Sequence, residues 1–152
     1  MRSIPVPVRI ERSLMSNNPP LETRKKVLIV EDNELNLKLV NDLLEYHGYL
    51  IFTTDRGAAT LEMARQHRPD LIIMDIQLPD ITDMEAARRL KADQETRMIP
   101  IVALTAFAMS GDRAKVLASG CDDYVEKPFN VLELLKLVQR YTHPDHSYDA
   151  PA

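Results

Sequence analysis

The chain alternates between short apolar runs and longer stretches in which apolar residues recur at helical spacing. The short runs predict strands at residues 26–30, 50–54, 71–74, 99–104 and 123–125. Two of these runs, 71–74 and 99–104, contain no polar residue, as in strands that are buried on both faces of a parallel sheet. The longer stretches predict helices that begin near Glu34, Gly57, Met84, Gly111 and Val131. Regular alternation of this kind is typical of βαβ units, so the pattern predicts an α/β fold.

The first predicted helix is amphipathic. Its apolar residues fall on one stripe, which consists of Leu35, Leu39, Val40, Leu43 and Leu44. A stripe of this width normally faces the core of the domain, and the helix is expected to end toward Gly48.

The length of 152 residues is enough for one domain of ordinary size. Prolines at positions 5, 7, 19 and 20 predict a flexible extension over residues 1–24, and a translation start at Met15 is an equally good interpretation. The folded domain is then expected at residues 25–142. The short, polar and proline-flanked segment 143–152 predicts a flexible tail.

Composition narrows the function classes. Asp and Glu outnumber Lys and Arg by 23 to 19, which gives a net charge of -4 and argues against direct nucleic-acid binding. The apolar runs are far shorter than the ~20 residues of a membrane helix, so no membrane insertion is expected. Prolines near the N-terminus interrupt any export signal. Cys121 is the sole cysteine, which suits a reducing compartment and predicts a cytoplasmic location.

Polar residues that could carry chemistry follow the predicted strands. Glu31 and Asp32 follow the first strand, Asp75 the third, Thr105 the fourth, and Lys127 the fifth. The carboxyl ends of parallel strands meet at one edge of a sheet, where ligands bind, so we expect these side chains to converge. Three neighbouring carboxylates repel one another unless a cation is present. Hard oxygen ligands that are open to solvent suit Mg²⁺.

Such a cluster is suited to phosphate chemistry. A carboxylate can act as a covalent nucleophile toward phosphorus, and Asp75, at the end of a central apolar run, is the best candidate. Lys127 and Thr105 could donate to the oxygens that carry charge during transfer. Taken singly, an Asp after a strand is more often a helix cap or a turn residue. The agreement of five positions on successive strands favours the functional interpretation.

Four segments resemble the receiver domain of two-component response regulators. They read VLIVEDN at residues 27–33, LIIMDIQLP at 71–79, ALTA at 103–106 and YVEKPF at 124–129. The resemblance covers roughly residues 25–142. The sequences of residues 31–36 and 105–109 further resemble those of single-domain regulators that act in the cell cycle.

The resemblance implies a three-layer, doubly wound (βα)5 fold with a five-stranded parallel sheet in the order 2-1-3-4-5. It implies a Mg²⁺ site formed by Asp32, Asp75 and the backbone carbonyl of Gln77, with Glu31 reaching the metal through water. The family usually has Gly where this chain has Asp83, in the loop after Pro79. A left-handed backbone is tolerated by Asp better than by most residues, so we expect local strain or a shifted loop there.

The resemblance also assigns the remaining site residues. Asp75 would be the phosphoacceptor, and Thr105 and Lys127 would contact the phosphoryl oxygens. Tyr124 would be the aromatic switch that follows Thr105 inward, and Lys127–Pro128 would be a cis peptide bond, for which proline lowers the cost.

The implied function is that of a single-domain response regulator. It would accept a phosphoryl group from a sensor histidine kinase or a histidine phosphotransfer protein, and would not be an enzyme beyond self-dephosphorylation. The segment after Thr142 is too short for an effector domain, so output is expected through a downstream protein. That target would bind the face made by the helix after Gly111, the strand with Tyr124 and the helix after Val131. A monomer or weak dimer is expected.

Three other functions can be compared with this one. A phosphorylation-independent adaptor would keep the fold as a docking surface, although intact Asp75, Thr105 and Lys127 argue against it. A phosphohydrolase with an aspartyl nucleophile would need a second Asp as acid and base where this chain has Gln77. A nucleotide-binding module is disfavoured, because no glycine-rich phosphate loop occurs.

Overall fold

The computed structural model describes residues 20–76, 81–105 and 110–143, without the side chains of residues 81–83 and 110–113. The strands are β1 (Lys26–Val30), β2 (Leu50–Thr54), β3 (Leu71–Ile76), β4 (Ile101–Thr105) and β5 (Asp123–Glu126). The helices are α1 (Glu34–Tyr46), α2 (Thr60–His67), α3 (Ile81–Ala92), α4 (Ser110–Ala118) and α5 (Val131–Thr142), with 3₁₀ turns at Leu21–Thr23 and Gly57–Ala59. Gln77, most of the predicted N-terminal extension and residues 144–152 of the tail lie outside the described residues.

The five strands form one parallel sheet in the order β2-β1-β3-β4-β5. Alternate strand residues face opposite sides of the sheet, and each side is covered by helices. Val40 and Leu44 of α1 and Leu134 and Val138 of α5 form the core on one side. The other side packs against α2, α3 and α4. The predicted three-layer doubly wound fold is therefore confirmed.

Local interactions fix the ends of the elements. The Asn33 side chain caps α1 by accepting a hydrogen bond from the backbone N–H of Asn36 at 2.9 Å. Asn130 caps α5 in the same way. At the other end of α5, the hydroxyl groups of Tyr49 and Thr142 are 2.8 Å apart in a buried hydrogen bond. This bond ties the end of α5 to the residue that precedes β2.

Several predicted boundaries were wrong. β3 continues to Ile76, so Asp75 lies within the strand and not after it. β4 begins at Ile101 and not at residue 99, because Pro100 has no N–H and the N–H of Ile99 donates to Thr96 O in a turn at 3.0 Å. Residues 57–59 form a 3₁₀ turn, and the helix itself begins at Thr60.

The third helix also differs from the prediction. It begins at Ile81, three residues before Met84, so Asp83 has helical backbone and does not occupy a left-handed loop. Within the described chain, Arg68 at the end of α2 is the non-glycine residue with positive φ, at 49°. The strain expected at Asp83 is therefore absent.

None of the helices in the described part of the chain is both long and apolar enough to cross a bilayer.

Candidate functional site

Three carboxylates meet at the carboxyl edge of the sheet. Glu31 and Asp32 follow β1, and Asp75 lies near the end of β3, the strand beside β1. One carboxylate oxygen from each of the three residues lies within 4.8 Å of the others. Glu31 and Asp75 are buried, whereas Asp32 is exposed to solvent. The strand order thus places the three predicted carboxylates together.

Lys127 brings a positive charge to the cluster. Its ammonium group forms an ion pair with Oδ1 of Asp75. The backbone N–H of Lys127 donates to the carbonyl of Thr105 at 2.8 Å, which fixes the loop after β5 against the end of β4. The Lys127–Pro128 peptide bond is cis, as predicted.

The directions of these side chains follow from strand alternation. Glu31, Asp75 and Lys127 continue the alternate positions of Ile29, Ile73 and Val125, which face the layer of α1 and α5. The two carboxylates and the ammonium group are therefore expected on the same side of the sheet. Burial and the neighbouring Asp75 carboxylate raise the pKa of Glu31 to about 7, although the backbone N–H of Asn33, 3.0 Å from Glu31 Oε2, and the Lys127 charge oppose the shift.

The cluster fits a divalent cation. Oε1 of Glu31 and Oδ2 of Asp75 are buried and have no hydrogen-bond partner among the residues that the structure describes, whereas Oδ1 of Asp75 is paired with Lys127. Buried oxygens in this condition cost free energy unless a cation or a donor reaches them. Carboxylate oxygens beside an exposed Asp32 match the preference of Mg²⁺ for hard ligands and retained water.

Thr105 and Tyr124 lie on neighbouring strands. Tyr124 pairs with Ala103, and Thr105 follows Ala103 by two residues on the same face of β4. Thr105 is buried, and the half-buried Tyr124 packs against the core on the side of α2, α3 and α4. Diagonal neighbours in a sheet are within reach of an aromatic side chain, so the two residues are placed where they can affect each other.

Sequence reasoning missed the apolar rim of the site. Leu35, which was expected to face the core, is 79% exposed at the start of α1, and Leu132 is 63% exposed at the start of α5. Leu39 is also exposed, so this part of the predicted stripe is wrong. The width of the stripe could have revealed this exposure. Leu37 and Leu44 contact the core, whereas Leu35 and Leu39 lie on the part of the helix surface that is turned away from those two residues.

A parallel doubly wound sheet with an acidic cluster and a lysine at its carboxyl edge defines the receiver class of signalling domains. The family model for the response regulator receiver domain matches residues 27–139, and the chain belongs to this family. It is 49% identical to the polar-differentiation response regulator DivK of Brucella anthropi over 117 residues, which are 77% of this chain and 95% of that protein. The DivK protein of Brucella ovis is 48% identical over the same length.

Solved structures agree with this assignment. The receiver domain of a sensor histidine kinase from Pseudomonas aeruginosa, described with magnesium coordinated in its active-site cleft, is 36% identical with a TM-score of 0.72. The match covers 79% of this chain and 98% of that one. A co-crystal structure from Saccharomyces cerevisiae, of a histidine phosphotransfer protein with the receiver domain of its downstream response regulator, matches at 31% identity and a TM-score of 0.71. It covers 78% of this chain and 89% of that one.

Proposed function

We propose that the protein is a single-domain response regulator that accepts a phosphoryl group on Asp75 from a sensor histidine kinase or a histidine phosphotransfer protein. The observation that carries the proposal is the environment of Asp75. Its carboxylate is buried, paired with Lys127, and close to the oxygens of Glu31 and Asp32. The role that we propose for it lies in cell-cycle or cell-division control, which is supported by the likeness to a polar-differentiation response regulator. The single cysteine suits a cytoplasmic location.

Each site residue has a separate role in phosphoryl transfer. A carboxylate oxygen of Asp75 forms a bond to phosphorus while the bond from phosphorus to the donor imidazole nitrogen breaks, and that nitrogen keeps the electron pair. Lys127 and the hydroxyl of Thr105 donate to the phosphoryl oxygens, whose charge they stabilise. The chain acts as phosphoacceptor, with self-dephosphorylation as its only reaction beyond that.

Asp32 and Asp75 would hold Mg²⁺ directly, together with the backbone carbonyl of Gln77, and Glu31 would reach it through water. When bound, the ion supplies positive charge that neutralises the phosphoryl oxygens during transfer. Oε1 of Glu31 and Oδ2 of Asp75, which have no hydrogen-bond partner among the described residues, support this assignment.

The exposed leucines near the site suit a helical phosphodonor. Leu35 and Leu132 are the second residues of α1 and α5, which begin at the carboxyl edge of the sheet and pack on the same side of it. Asp75, in β3, and Lys127, directly after β5, continue the alternation of strand residues that face this same side. A donor that covers both leucines would bring its histidine toward Asp75 while burying apolar surface.

The downstream target would bind the face made by α4, β5 and α5. Tyr124 lies on this face, beside a cavity of about 480 Å³ that is also lined by Glu126, Glu133, Lys136 and Arg140. Phosphorylation adds about -1.5 to -2 charges at Asp75. Thr105 then turns toward the phosphoryl group and Tyr124 moves into the space that it leaves, which alters this face. The chain itself would be a monomer or weak dimer.

The test is to incubate the protein with acetyl phosphate and then to measure the mass of the intact protein by mass spectrometry. We expect one added phosphoryl group in the presence of Mg²⁺, none with EDTA, and none in Asp75→Asn. Asp55→Asn is the matched control, because Asp55 is exposed just after β2 at the same edge of the sheet, and it should be labelled like the parent. Labelling that persists in Asp75→Asn would refute the assignment. A parent chain that takes up no phosphoryl group would favour the phosphorylation-independent adaptor.

A further inference from the structure

A groove with a cavity of about 520 Å³ lies between α2 and α3, on the side of the sheet opposite α1 and α5. Leu61 and Ala86 in its lining also pack against the core. The charged residues of the lining are Glu62, Arg65, Glu85 and Arg89. Their charges cancel, whereas the whole chain carries a net charge of -4. A second copy of the chain can therefore approach the α2–α3 groove without net repulsion from its lining.

The charges have the same order along both helices. Each helix follows a strand of the parallel sheet, so each runs from the carboxyl edge toward the amino edge. On α2, Glu62 comes one turn before Arg65, and on α3, Glu85 comes one turn before Arg89. One turn is a rise of about 5.4 Å. The groove is therefore acidic toward the carboxyl edge and basic toward the amino edge.

The exposed face of α3 is itself complementary to this groove. It carries Glu85, Arg88 and Arg89, whose side chains are 42%, 51% and 63% exposed. A two-fold axis perpendicular to α3 makes the α3 helices of two copies antiparallel. Glu85 of one copy then lies opposite Arg89 of the other, and Arg65 on α2 lies opposite Glu85 of the other copy. Acidic and basic positions thus meet along the contact.

Ion pairs within the chain leave the arginines able to bind a second copy. Glu85 is 3.6 Å from Arg88 and 3.4 Å from Arg89, and exposed pairs of this kind contribute little to stability. Arg65 is paired with Asp93, but a guanidinium group has five N–H donors and can bind a second carboxylate. A contact between copies therefore adds ion pairs without breaking those of the single chain.

We propose that the chain forms a weak two-fold dimer in which α3 of each copy packs into the α2–α3 groove of the other. The row of side chains on one helix fits between neighbouring helices at contacts of this kind. α3 has 12 residues and is about 18 Å long, so the contact is small and belongs to the weak, transient range. Because α1 and α5 lie on the other side of the sheet, both copies keep Leu35 and Leu132 open to a phosphodonor.

The test is sedimentation of the full chain over a series of concentrations. Glu85→Arg places a positive charge opposite Arg89 of the other copy, and Arg89→Glu places a negative charge opposite Glu85. We expect each variant alone to dimerise at least about tenfold more weakly than the parent. An equimolar mixture of the two variants brings opposite charges together again, so its dimerisation should exceed that of either variant alone.

Glu133→Arg and Lys136→Glu are the matched controls, because they make the same changes of net charge at exposed residues of α5. Each should dimerise like the parent. A parent chain that stays monomeric up to about 1 mM would overturn the proposal. A mixture of Glu85→Arg and Arg89→Glu that dimerises no better than either variant alone would overturn it as well. Equal weakening by the α5 controls would place the contact on the face of α4, β5 and α5 instead.

Discussion

At the scale of single residues, the site combines burial with charge of both signs. Asp75 is buried next to Lys127, and Glu31 is buried with a pKa raised to about 7. Asp32 differs from both because it is exposed. A direct ligand contributes a metal contact as well as charge, whereas a residue that acts through water contributes charge and orientation only. The three carboxylates should therefore be distinguishable by mutation.

We predict that Asp32→Ala weakens Mg²⁺ binding more than Glu31→Gln does. Loss of a residue that orients the site typically costs about tenfold or more in affinity, and loss of a direct ligand should cost more than that. A calorimetric or fluorescence titration of the unphosphorylated protein would measure both. Unchanged affinity in Asp32→Ala would place the metal elsewhere.

Cys121 should be inert in the folded protein. It is 5% exposed, and burial raises the pKa of its thiol to about 11. Because the thiolate is the reactive form, only about one thiol in a thousand is reactive at pH 8. Iodoacetamide at pH 8 should modify Cys121 far more slowly in the native protein than in guanidinium chloride. Equal rates in the two conditions would contradict the buried placement.

At the scale of elements, periodicity predicted which segments are helices and strands better than where they end. The stripe on α1 mixed core residues with the exposed Leu35 and Leu39, because helical spacing alone does not tell a buried leucine from an exposed one at the edge of the stripe. The start of α3 at Ile81 could not be predicted from apolar spacing, since residues 81–83 add only one apolar side chain. β3 extends past Asp75 because its pairing with β4 continues to Ile76 and Thr105. The charged Asp75 interrupts the apolar run, so the apolar pattern alone predicts that the strand ends before it.

Gly120, just beyond α4, should resist substitution. Its φ is 115°, and an added Cβ would lie 2.8 Å from Cγ of Lys91. Lys91 cannot easily move, because its ammonium group contacts the carbonyl of Ile99 at 2.9 Å and Asp122 at 2.8 Å. We predict that Gly120→Ala lowers the free energy of unfolding by more than about 1 kcal/mol. Gly57→Ala is the control, since φ is not positive at Gly57, and chemical denaturation should find it near the parent value.

At the scale of the whole molecule, the order of strands turns distant parts of the sequence into one site. Residues 31, 75 and 127 are far apart in the chain, and only the 2-1-3-4-5 order brings β1 and β3 together and places β4 and β5 beside them. The motifs on successive strands made this convergence predictable. The burial of Glu31 and Asp75 and the raised pKa of Glu31 were not predictable, because they depend on how closely the side chains pack.

The proposed coupling of Thr105 to Tyr124 would act at this scale, since it would carry a change at Asp75 to the face of α4, β5 and α5. We predict that Thr105→Ala is still phosphorylated but shows smaller chemical-shift changes over that face and a weaker gain in affinity for the downstream target. Thr105→Ser keeps the hydroxyl and should respond like the parent. A response of Thr105→Ala equal to that of the parent, over the same residues, would show that the coupling is wrong.

The hydrogen bond between Tyr49 and Thr142 has a practical consequence for surface attachment. It holds the end of α5 beside the residue before β2, at the edge of the sheet opposite Asp75. A dye, an affinity handle or a biosensor chip joined after Thr142 would therefore lie at the amino edge of the sheet. The carboxylates at the carboxyl edge would then point away from the attached group. Immobilised in this orientation, the protein would present its acceptor to a kinase in solution without obstruction by the support.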